Sequence, residues 1–474
     1  MAHTIKTHRT AIEARPGLLN WYETTTTLYN QVVAFYVSLY EAHPGLLNLN
    51  QQEALRQAER LTHRTRTNPS PLWPLEEAIS ADIPAMLRRA AINAARGAFQ
   101  SFHSHYQRWQ KNKTNFEAKG KRFHHRPPVP PRTFNFNLPF YQGMFKERTV
   151  TSIMVRLYSG TSWQWVKLRL TGEPLPAEWN PGSPIIVRRR GRLRLHTPLE
   201  KQFPTPPKAL AQVAADPQLR VCSVDLNLGD AVAVCTILQA DGTEVVTRFI
   251  RGGKNLHARR RRLLGKVARK RRQSGILTEG EADNIKLWQK IRAIDEYEAH
   301  RVSQRIVEFA QAHRATILVF EHLGNLKPQK GRYSQRSNEK RAYWLKGKIV
   351  KYARYKAWEQ GILTSRVNPR NTSRDCSDCG ASPVARYAAG EAPLAYRPGG
   401  PLYLCPACLK RGNADHNAAL NIGFRFFQRA FRQLSESLHA KASGVPVVNP
   451  IALQQIAVWQ DRRSGSALPS FSLA

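Results

Sequence analysis

The 474-residue sequence contains no run of 18 or more apolar residues, and its opening stretch, MAHTIKTHRT, lacks the apolar core of a signal peptide. The first absence argues against membrane-spanning helices and the second against secretion. The sequence therefore predicts a soluble intracellular protein without a membrane partner. With 42% hydrophobic and 9% aromatic residues it can bury substantial cores, and its length predicts two to four domains.

Acidic residues are scarce. The chain has 34 Asp and Glu residues against 73 Lys and Arg residues, which gives a formal net charge of +39 and a pI near 10.6. Because the excess is spread along the whole chain, it indicates a polyanionic partner. We interpret that partner as nucleic acid rather than as an anionic membrane surface.

Cysteine is also rare, with six residues in all. Cys222 and Cys235 lie within apolar runs and are predicted to be small buried side chains, because disulfides are not expected without an export signal. The other four form two Cys-x-x-Cys pairs separated by 25 residues: Cys376, Cys379, Cys405 and Cys408. This spacing is typical of a zinc ribbon, in which four thiolates make a closed, structural site. Four unrelated thiols are the alternative.

The first 215 residues combine two periodicities. Residues 4–14 and several runs after residue 133 alternate like strands, whereas residues 18–110 repeat apolar side chains at helical spacing. Prolines divide the helical part into three or four helices. The pattern predicts a small β-barrel formed by residues 1–17 and 130–215, with a helical lobe inserted at residues 18–129.

The end of the helical lobe is basic and aromatic. Arg, His, Phe and Tyr are interleaved between Arg88 and Arg108, and the segment Lys111–Arg132 is basic and ends in prolines. For any one residue of the first stretch, the simpler interpretation is that it lies on the solvated basic face of an amphipathic helix. The second is interpreted as a linker or as a loop that faces nucleic acid.

The order of elements changes after residue 216. Three strand-like runs at 221–226, 231–238 and 244–250 precede two helical stretches, a strand that ends at Glu321, a helix and a further strand. This is the order of an RNase H-like α/β domain, so the predicted fold class is a multidomain α+β protein. The predicted boundaries are residues 216–367 and 413–440 for the RNase H-like domain, 368–412 for a zinc-ribbon insert and 441–474 for a disordered tail.

Three acids stand where a carboxylate is costly to bury. Asp225 lies near the end of one apolar strand, Glu321 ends another, and Asp415 begins a helical pattern. Because parallel neighbouring strands end at the same edge of a sheet, Asp225 and Glu321 are expected to lie side by side, and a packed helix would add Asp415. Three such carboxylates favour Mg²⁺ or Mn²⁺, and two ions about 4 Å apart would support phosphodiester hydrolysis. A helix cap or an arginine partner is the alternative for each acid alone.

One helical stretch is strongly basic: residues 251–272 contain eleven Lys and Arg residues and no acid, with leucines that predict one docked face. We expect its exposed cations to follow a phosphate backbone. The residues assigned to this contact are Arg259, Arg260, Arg261, Arg262, Lys266, Arg269 and Lys270. A basic loop at 327–341, just after Glu321, is expected to gate substrate entry.

Several segments resemble the transposon-encoded TnpB proteins and the compact type V CRISPR effectors. The run NPRNTSRDCSDCG resembles the family's Asn-Pro…Thr-Ser-x-x-Cys-x-x-Cys-Gly signature, and ADHNAALNIG resembles its third nuclease motif. VCSVDLNLG and LVFEHLGNLK resemble its first and second RuvC-type motifs, although the first reads Asp-Leu-Asn-Leu-Gly where the family more often has Asp-x-Gly. The resemblance is strong over residues 220–425 and architectural over residues 1–215.

The resemblance implies an RNA-guided DNA endonuclease with a single RuvC-like site. On this match Asp225, Glu321 and Asp415 are the catalytic, Mg²⁺-binding acids, and the four paired cysteines hold zinc. The β-barrel and the helical lobe correspond to the family's wedge and recognition lobes, which would identify a short motif beside the target.

The implied partners are a guide RNA and target DNA, bound by a monomer or a homodimer in a prokaryotic cytoplasm, in association with the nucleoid. In this division of labour, base pairing selects the sequence and the protein supplies charge and shape. Two alternatives remain: a guided DNA binder with weak or no cleavage, and an RNase H-like transposase or resolvase.

Overall fold

The chain forms two compact units, one over His3–Lys201 and the other from Gln202 onward. Each unit is described separately. Within the described part of the chain, no helix combines the length and the hydropathy that a bilayer crossing requires. The predicted tail at 441–474 lies outside the described residues. The structure, a computed structural model, describes residues 2–189, 191–275, 283–324, 328–329, 331, 334–392 and 400–440.

Among its described residues, the first unit contains eight strands and four α-helices. The strands are β1 (Ala2–Ile12), β2 (Leu138–Pro139), β3 (Phe145–Lys146), β4 (Ser152–Tyr158), β5 (Trp163–Thr171), β6 (Asn180–Pro181), β7 (Ile185–Arg189) and β8 (Arg192–Phe203). The helices are α1 (Leu18–Ala42), α2 (Gln51–Thr62), α3 (Leu75–Ala78) and α4 (Ala85–Glu117), with a 3₁₀ turn at Pro44–Asn48. All the helices of this unit lie between β1 and β2 in the chain.

The strands of this unit form one sheet in the order β2-β7-β8-β1-β5-β4-β3, with β6 paired to β8. The N-terminal strand therefore lies in the middle of the order. Its two ends, β2 and β3, are not paired with each other among the described residues. The predicted β-barrel is open on one side, because residues 127–137, expected to include a strand from 133, follow an irregular course.

One apolar core joins the helices of this unit to its sheet. The face of α1 that carries Val32, Tyr36 and Leu39 is fully buried, and so are Leu87 and Ala91 of α4. These residues lie three or four positions apart within each helix. The helical spacing predicted from the sequence is confirmed.

The second unit contains strands β9–β16 and helices α5–α10. The strands are β9 (Arg220–Leu226), β10 (Ala231–Gln239), β11 (Glu244–Arg251), β12 (Ile317–Glu321), β13 (Leu363–Val367), β14 (Ala385–Tyr387), β15 (Leu402–Leu404) and β16 (Arg411–Asn413). The helices are α5 (Ala209–Ala215), α6 (Gly253–Ser274), α7 (Ile285–Ala312), α8 (Gln335–Ala342), α9 (Lys346–Glu359) and α10 (Ala414–Ala440). Helix α5 packs Val213 into the core under α10. Helix α8 occupies the second half of the predicted basic loop.

The main sheet of this unit has the order β11-β10-β9-β12-β13. Strand β10 is antiparallel to β9 and β11, whereas β9, β12 and β13 run parallel. The sheet is covered on both faces because its strands are apolar on both sides. In β9, Cys222 and Val224 contact the core formed with α7 and α9, and Val221 contacts the core under α10. Cys222 and Cys235 are free and fully buried, as predicted.

Helix α10 packs unusually close to the sheet. A Cβ atom at Gly423 would lie 2.2 Å from Leu238 Cδ1 and 3.3 Å from Ser223 Cβ. The first distance is too short for any real contact, so a larger residue would push the helix or the Leu238 side chain away. The absence of a side chain at Gly423 thus lets α10 lie directly against β9 and β10.

Candidate active site and metal centres

Two strands and a helix bring the three predicted acids to one edge of the main sheet. The parallel register pairs Val224 of β9 with Phe320 of β12, so Asp225 and Glu321 follow at neighbouring positions. Both lie on the sheet face that carries Val221 and Val319 of the core under α10, because alternate side chains along a strand point to the same face. Asp415 lies in the first turn of α10. The three acids line one cleft.

Asp225 is the most buried of these acids, with 6% of its surface exposed. Burial raises the pKa of Asp225 well above the ordinary aspartate value, and the charges of Glu321 and Asp415 raise it further. Asn227 donates a 2.8 Å hydrogen bond to Asp225 Oδ2, and this bond lowers the pKa of Asp225. Without a cation, ionising Asp225 therefore costs free energy, and a bound divalent ion would offset that cost.

Glu321 is held by the loop that follows β13. The Thr372 hydroxyl donates a hydrogen bond to Glu321 Oε1, and Thr372 itself is buried. Burial raises the pKa of Glu321, whereas the Thr372 hydrogen bond and the Arg425 charge lower it. Thr372 thus fixes one oxygen of this carboxylate.

Asp415 meets a cation from the segment between the two cysteine pairs. Arg386 of β14 places Nη2 3.6 Å from Asp415 Oδ1. The same guanidinium donates hydrogen bonds of 2.9 and 2.7 Å to the Gly400 carbonyl, and Arg386 is only 7% exposed. Burial raises the pKa of Asp415 and Arg386 lowers it. A buried arginine therefore stands beside the acids.

The cleft has a volume of about 1540 Å³ and is lined by both signs of charge. Besides the acids and Arg386, its cations are Arg251, Lys254, Arg341, Arg366 and Arg370. Cations that surround carboxylates suit a phosphodiester strand, because they attract the phosphates while the acids hold metal ions.

The four paired cysteines form a second centre. Their Sγ atoms all lie within 4.8 Å of one another, with 3.7 Å between Cys376 and Cys408 and 3.5 Å between Cys379 and Cys405. A tetrahedral ion with Zn–S bonds of about 2.3 Å needs sulfurs about 3.8 Å apart, so the four thiols fit zinc. Among the residues that the structure describes, no other group of three or more His, Cys, Asp or Glu side chains is this tight. The three carboxylates are more widely spaced.

The cysteine centre is built on the small antiparallel sheet β14-β15-β16. Burial raises the pKa of the Cys405 thiol, but the backbone N–H groups of Cys408 and Ala407 bring it down to about 7. These N–H groups favour the thiolate, which is the form that binds a metal.

Two buried asparagines of α10 attach the cysteine segment to the helix. Asn421 Nδ2 donates hydrogen bonds to the carbonyls of Thr372 and Asp375, at 2.9 and 2.7 Å. Asn417 Nδ2 donates to the same Asp375 carbonyl at 2.8 Å. The helix that carries Asp415 therefore also holds the loop that carries Thr372.

Comparison with known proteins agrees with this arrangement. The Cas12f1-like, TNB domain family matches residues 347–422, and the Aq_aa04 family matches residues 6–159. The chain is 29% identical over 237 residues to the TnpB-like protein aq_aa05 of Aquifex aeolicus (strain VF5), which covers 48% of this chain and 72% of that protein. It is 34% identical over 123 residues to the CRISPR-associated endodeoxyribonuclease Cas12f1 of Sulfoacidibacillus thermotolerans, which covers 26% of this chain and 25% of that protein. The chain is thus similar to TnpB-like proteins and to compact type V CRISPR effectors.

The structural comparison concerns the fold of the chain. The mini-RNA-guided endonuclease CRISPR-Cas_phi3 shares 11% sequence identity with it at a TM-score of 0.50, over 90% of this chain and 92% of that chain. At this identity the likeness shows a shared mixed α+β fold. The sequence matches span about a quarter to a third of the length of the Cas12f relatives.

The basic helix α6 is docked by its apolar side, as the sequence predicts. Leu256, Leu263 and Val267 are buried. Six of the seven cations assigned to nucleic acid are exposed: Arg259, Arg261, Arg262, Lys266, Arg269 and Lys270. The assignment of Arg260 is wrong, because it is 3% exposed and its guanidinium is ion-paired with Asp295 inside the fold.

Sequence reasoning missed the polar residues that surround the acids. A signal existed for Asn417 and Asn421, which lie four positions apart and so share one face of α10. No such signal existed for Arg386, which lies in a short strand between the cysteine pairs. Its place beside Asp415 follows only from the tertiary structure.

Proposed function

We propose that this protein is an RNA-guided DNA endonuclease that hydrolyses phosphodiester bonds at the acid-lined cleft. The observation that carries the proposal is the convergence of Asp225, Glu321 and Asp415 in a cleft lined by cations. The Cas12f1 relative is named an endodeoxyribonuclease and the structural neighbour an RNA-guided endonuclease. We extend those activities to this chain.

The main sheet supports an RNase H-like domain of the RuvC type. In its order β11-β10-β9-β12-β13 only β10 runs against the others, and the sheet is followed by a helix that carries the third acid. We assign this domain to residues 216–367 and 413–440, with residues 368–412 as a target-binding insert. We assign residues 1–17 and 130–215 to the wedge and residues 18–129 to the recognition lobe, which would identify a short motif beside the target.

Asp225, Glu321 and Asp415 would hold Mg²⁺ or Mn²⁺, because hard cations prefer carboxylate oxygens. The raised pKa values of the three acids support this fit, since a bound cation would offset the cost that burial imposes on their charged forms. When bound, such an ion activates water and stabilises the leaving oxygen of a phosphodiester.

The protein's own groups position the substrate and the acids. Thr372 orients the Glu321 carboxylate, and Arg386 places a positive charge where negative charge develops on the phosphate. The other cations of the cleft would bind phosphates on either side of the cleaved bond. Thr372 and Arg386 are both buried and hydrogen-bonded within the fold, so these two are in place before the substrate arrives.

The four cysteines would hold zinc in a structural role. Four protein ligands leave no position open for water or substrate, so this ion takes no part in hydrolysis. Its effect on the acids is indirect. The insert at residues 368–412 carries both Thr372 and Arg386, and its unfolding would remove both contacts.

A guide RNA and target DNA are the partners that the charge supports. A net charge of +39 exceeds what a compact globular enzyme needs for solubility, and an RNA backbone would neutralise it. Base pairing would then select the target while the protein contacts backbone and shape. The six exposed cations of α6 are proposed backbone contacts.

The proposal is tested by expressing the protein together with its native locus, sequencing the RNA that co-purifies and measuring guided plasmid cleavage with Mg²⁺. We expect one defined RNA and a cut that is lost in Asp225→Ala and after EDTA treatment. Absence of bound RNA would overturn the guided mechanism. A cut that survives EDTA would overturn the metal mechanism.

A guided DNA binder with little cleavage is the second candidate, and the Arg386–Asp415 ion pair favours it because that pair occupies one of the three acids. RNA-dependent binding of the target without a cut in the wild-type protein would select this candidate. RNA-independent strand transfer would instead indicate a transposase or resolvase.

A further inference from the structure

The long helix α4 carries a row of aromatic side chains that the proposed cleavage does not use. The buried residues of α4 end at Phe99, and its remaining turns bury no side chain. Phe102, Tyr106, Trp109 and Phe116 occur along those turns at intervals of three, four or seven residues. Such intervals place side chains on one side of a helix.

These rings contact one another in sequence. Ring centroids are 6.0 Å apart for Phe102 and Tyr106 and 5.8 Å apart for Tyr106 and Trp109, the second pair being stacked with an interplanar angle of 24°. Phe123, from the segment after the helix, lies 6.0 Å from Trp109 and 5.3 Å from Phe116. We call these five residues the aromatic row.

The aromatic row is fixed in place by hydrogen bonds. Trp109 Nε1 donates to the His125 carbonyl at 2.9 Å, and the Lys121 backbone N–H donates to the Phe116 carbonyl at 2.9 Å. The segment after α4 therefore folds back along the helix. The rings remain accessible, since Phe116 is 44% exposed and the other members are partly exposed.

The surroundings of the aromatic row are almost entirely basic. Residues 101–126 contain seven exposed Lys and Arg residues: Arg108, Lys111, Lys113, Lys119, Lys121, Arg122 and Arg126. The one acid in this interval, Glu117, pairs with Lys113 at 3.8 Å. Seven cations minus one acid leave an excess of six positive charges around the rings. An apolar protein partner would not need this charge, whereas a polyanion with flat bases needs both features.

We propose that the aromatic row binds an unpaired stretch of RNA, with bases stacked on the rings and phosphates held by the surrounding cations. Stacking on aromatic side chains requires bases that are not paired, so a duplex is excluded as the ligand. From Phe102 to Phe116 the helix spans about 21 Å, enough for about six nucleotides at 3.4 Å each. This inference gives the guide RNA of the proposed function a specific contact.

The choice of RNA over DNA follows from two amide side chains that flank the rings on α4. Gln110 and Asn112 are exposed, and at about 100° per residue they lie on the two sides of the helix face that carries the rings. Amides both donate and accept hydrogen bonds, as does the ribose 2′-hydroxyl. A deoxyribose strand offers them no such partner.

The test measures binding of a labelled oligouridine of about ten nucleotides to the full-length protein without added Mg²⁺. The double variant Tyr106→Leu/Phe116→Leu keeps apolar bulk and removes two π faces. We expect it to bind at least about tenfold more weakly than wild type. We also expect an unchanged dependence on salt, because no charge is removed.

Two controls separate stacking from charge. An abasic strand of equal length keeps the phosphates, and its affinity is expected to be the same for wild type and the double variant. The variant Trp165→Leu removes a ring that is 40% exposed and lies 4.7 Å from Lys146 Nζ, but belongs to β5 outside the aromatic row. It is expected to leave oligouridine binding unchanged.

A double variant that binds oligouridine like wild type, or that loses affinity for the abasic strand equally, would overturn the proposal. A deoxyuridine strand bound and lost to the same extent would overturn the assignment to RNA. If the oligouridine result holds but no native transcript co-purifies, the proposed guided function fails and the aromatic row stands. If the transcript co-purifies and the oligouridine affinity is insensitive to the double variant, the reverse is true.

Discussion

The cysteine centre and the acid centre both gather groups that repel one another when charged, yet they are assembled differently. The cysteines come from one segment, residues 376–408, and their four sulfurs lie within 4.8 Å of one another. The acids come from two strands and a helix, and Asp225 and Asp415 are 190 positions apart in the chain. Local folding around one ion can complete the first centre. The second exists only when the whole main sheet and α10 are in place.

The largest effect should follow from Cys405→Ser with Cys408→Ser. Two ligands are lost, and with them most of the roughly 10–16 kcal/mol that a structural zinc site contributes. We expect loss of zinc by elemental analysis, rapid proteolysis within residues 368–412 and no detectable cleavage. The control Cys235→Ala alters a buried cysteine outside the centre and should keep the zinc. A double variant that retains one tightly bound zinc and full activity would contradict the structural role.

The substitution Asp225→Asn should abolish cleavage yet stabilise the metal-free protein. Loss of a metal ligand is expected to reduce the rate by at least about 1000-fold, since a bound ion contributes several kcal/mol. The raised pKa of Asp225 means that the folded state holds its proton more tightly than the unfolded chain. Stability from this group is therefore lost as pH rises from the ordinary aspartate pKa, about 4, toward the raised value.

The measurement for Asp225→Asn is a melting curve without Mg²⁺ at several pH values. At neutral pH the variant should melt at a higher temperature than wild type, by about 2–4 °C for each kcal/mol that removal of the buried charge adds to the free energy of unfolding. Near pH 4 the difference should vanish. A variant that melts lower than wild type at neutral pH would show that Asp225 is satisfied without a cation.

A smaller effect is expected from Arg386→Lys, which keeps the charge beside Asp415 and loses the two hydrogen bonds to Gly400. Because lysine lacks the planar fork of arginine, we expect cleavage to fall by about tenfold to a hundredfold with zinc content unchanged. Single-turnover cleavage on bound target measures this directly. Wild-type rates in the variant would reduce Arg386 to a structural residue.

The smallest effect is expected from Thr372→Val, which removes the hydroxyl that donates to Glu321. Because that hydrogen bond lowers the pKa of Glu321, its loss should raise the pKa and move the acidic limb of the cleavage profile to higher pH. We expect about a tenfold loss of rate at neutral pH. Thr372→Ser keeps a hydroxyl and should restore the profile. An identical shift in both variants would point to a packing defect instead.

The two centres also differ in what the sequence could predict. The cysteine spacing is a local signal, and the structure brings all four sulfurs together. The proximity of Asp225 and Glu321 could be predicted, because apolar strands that end in acids indicate parallel neighbours whose ends meet at one edge of a sheet. Strands β9 and β12 have that register. The role of Arg386 and the burial of Arg260 could not be predicted from the sequence, since each depends on a contact with an acid far away in the chain. The open sheet of the first unit could not be predicted for the same reason, because strand pairing there joins β1 to partners far along the chain.

Gly423 sets a tolerance for the acid centre from a distance. It lies eight residues after Asp415 on the same helix, which is about 12 Å along the axis. Since α10 packs against Leu238 and Ser223 at this point, one added methyl group would displace either the Leu238 side chain or the helix. If the helix moves, Asp415 at its N-terminal end moves with it. A displacement of about 1 Å at a reacting centre can cost a hundredfold in rate. The absence of a side chain at Gly423 thus helps to keep the Asp415 carboxylate near those of Asp225 and Glu321.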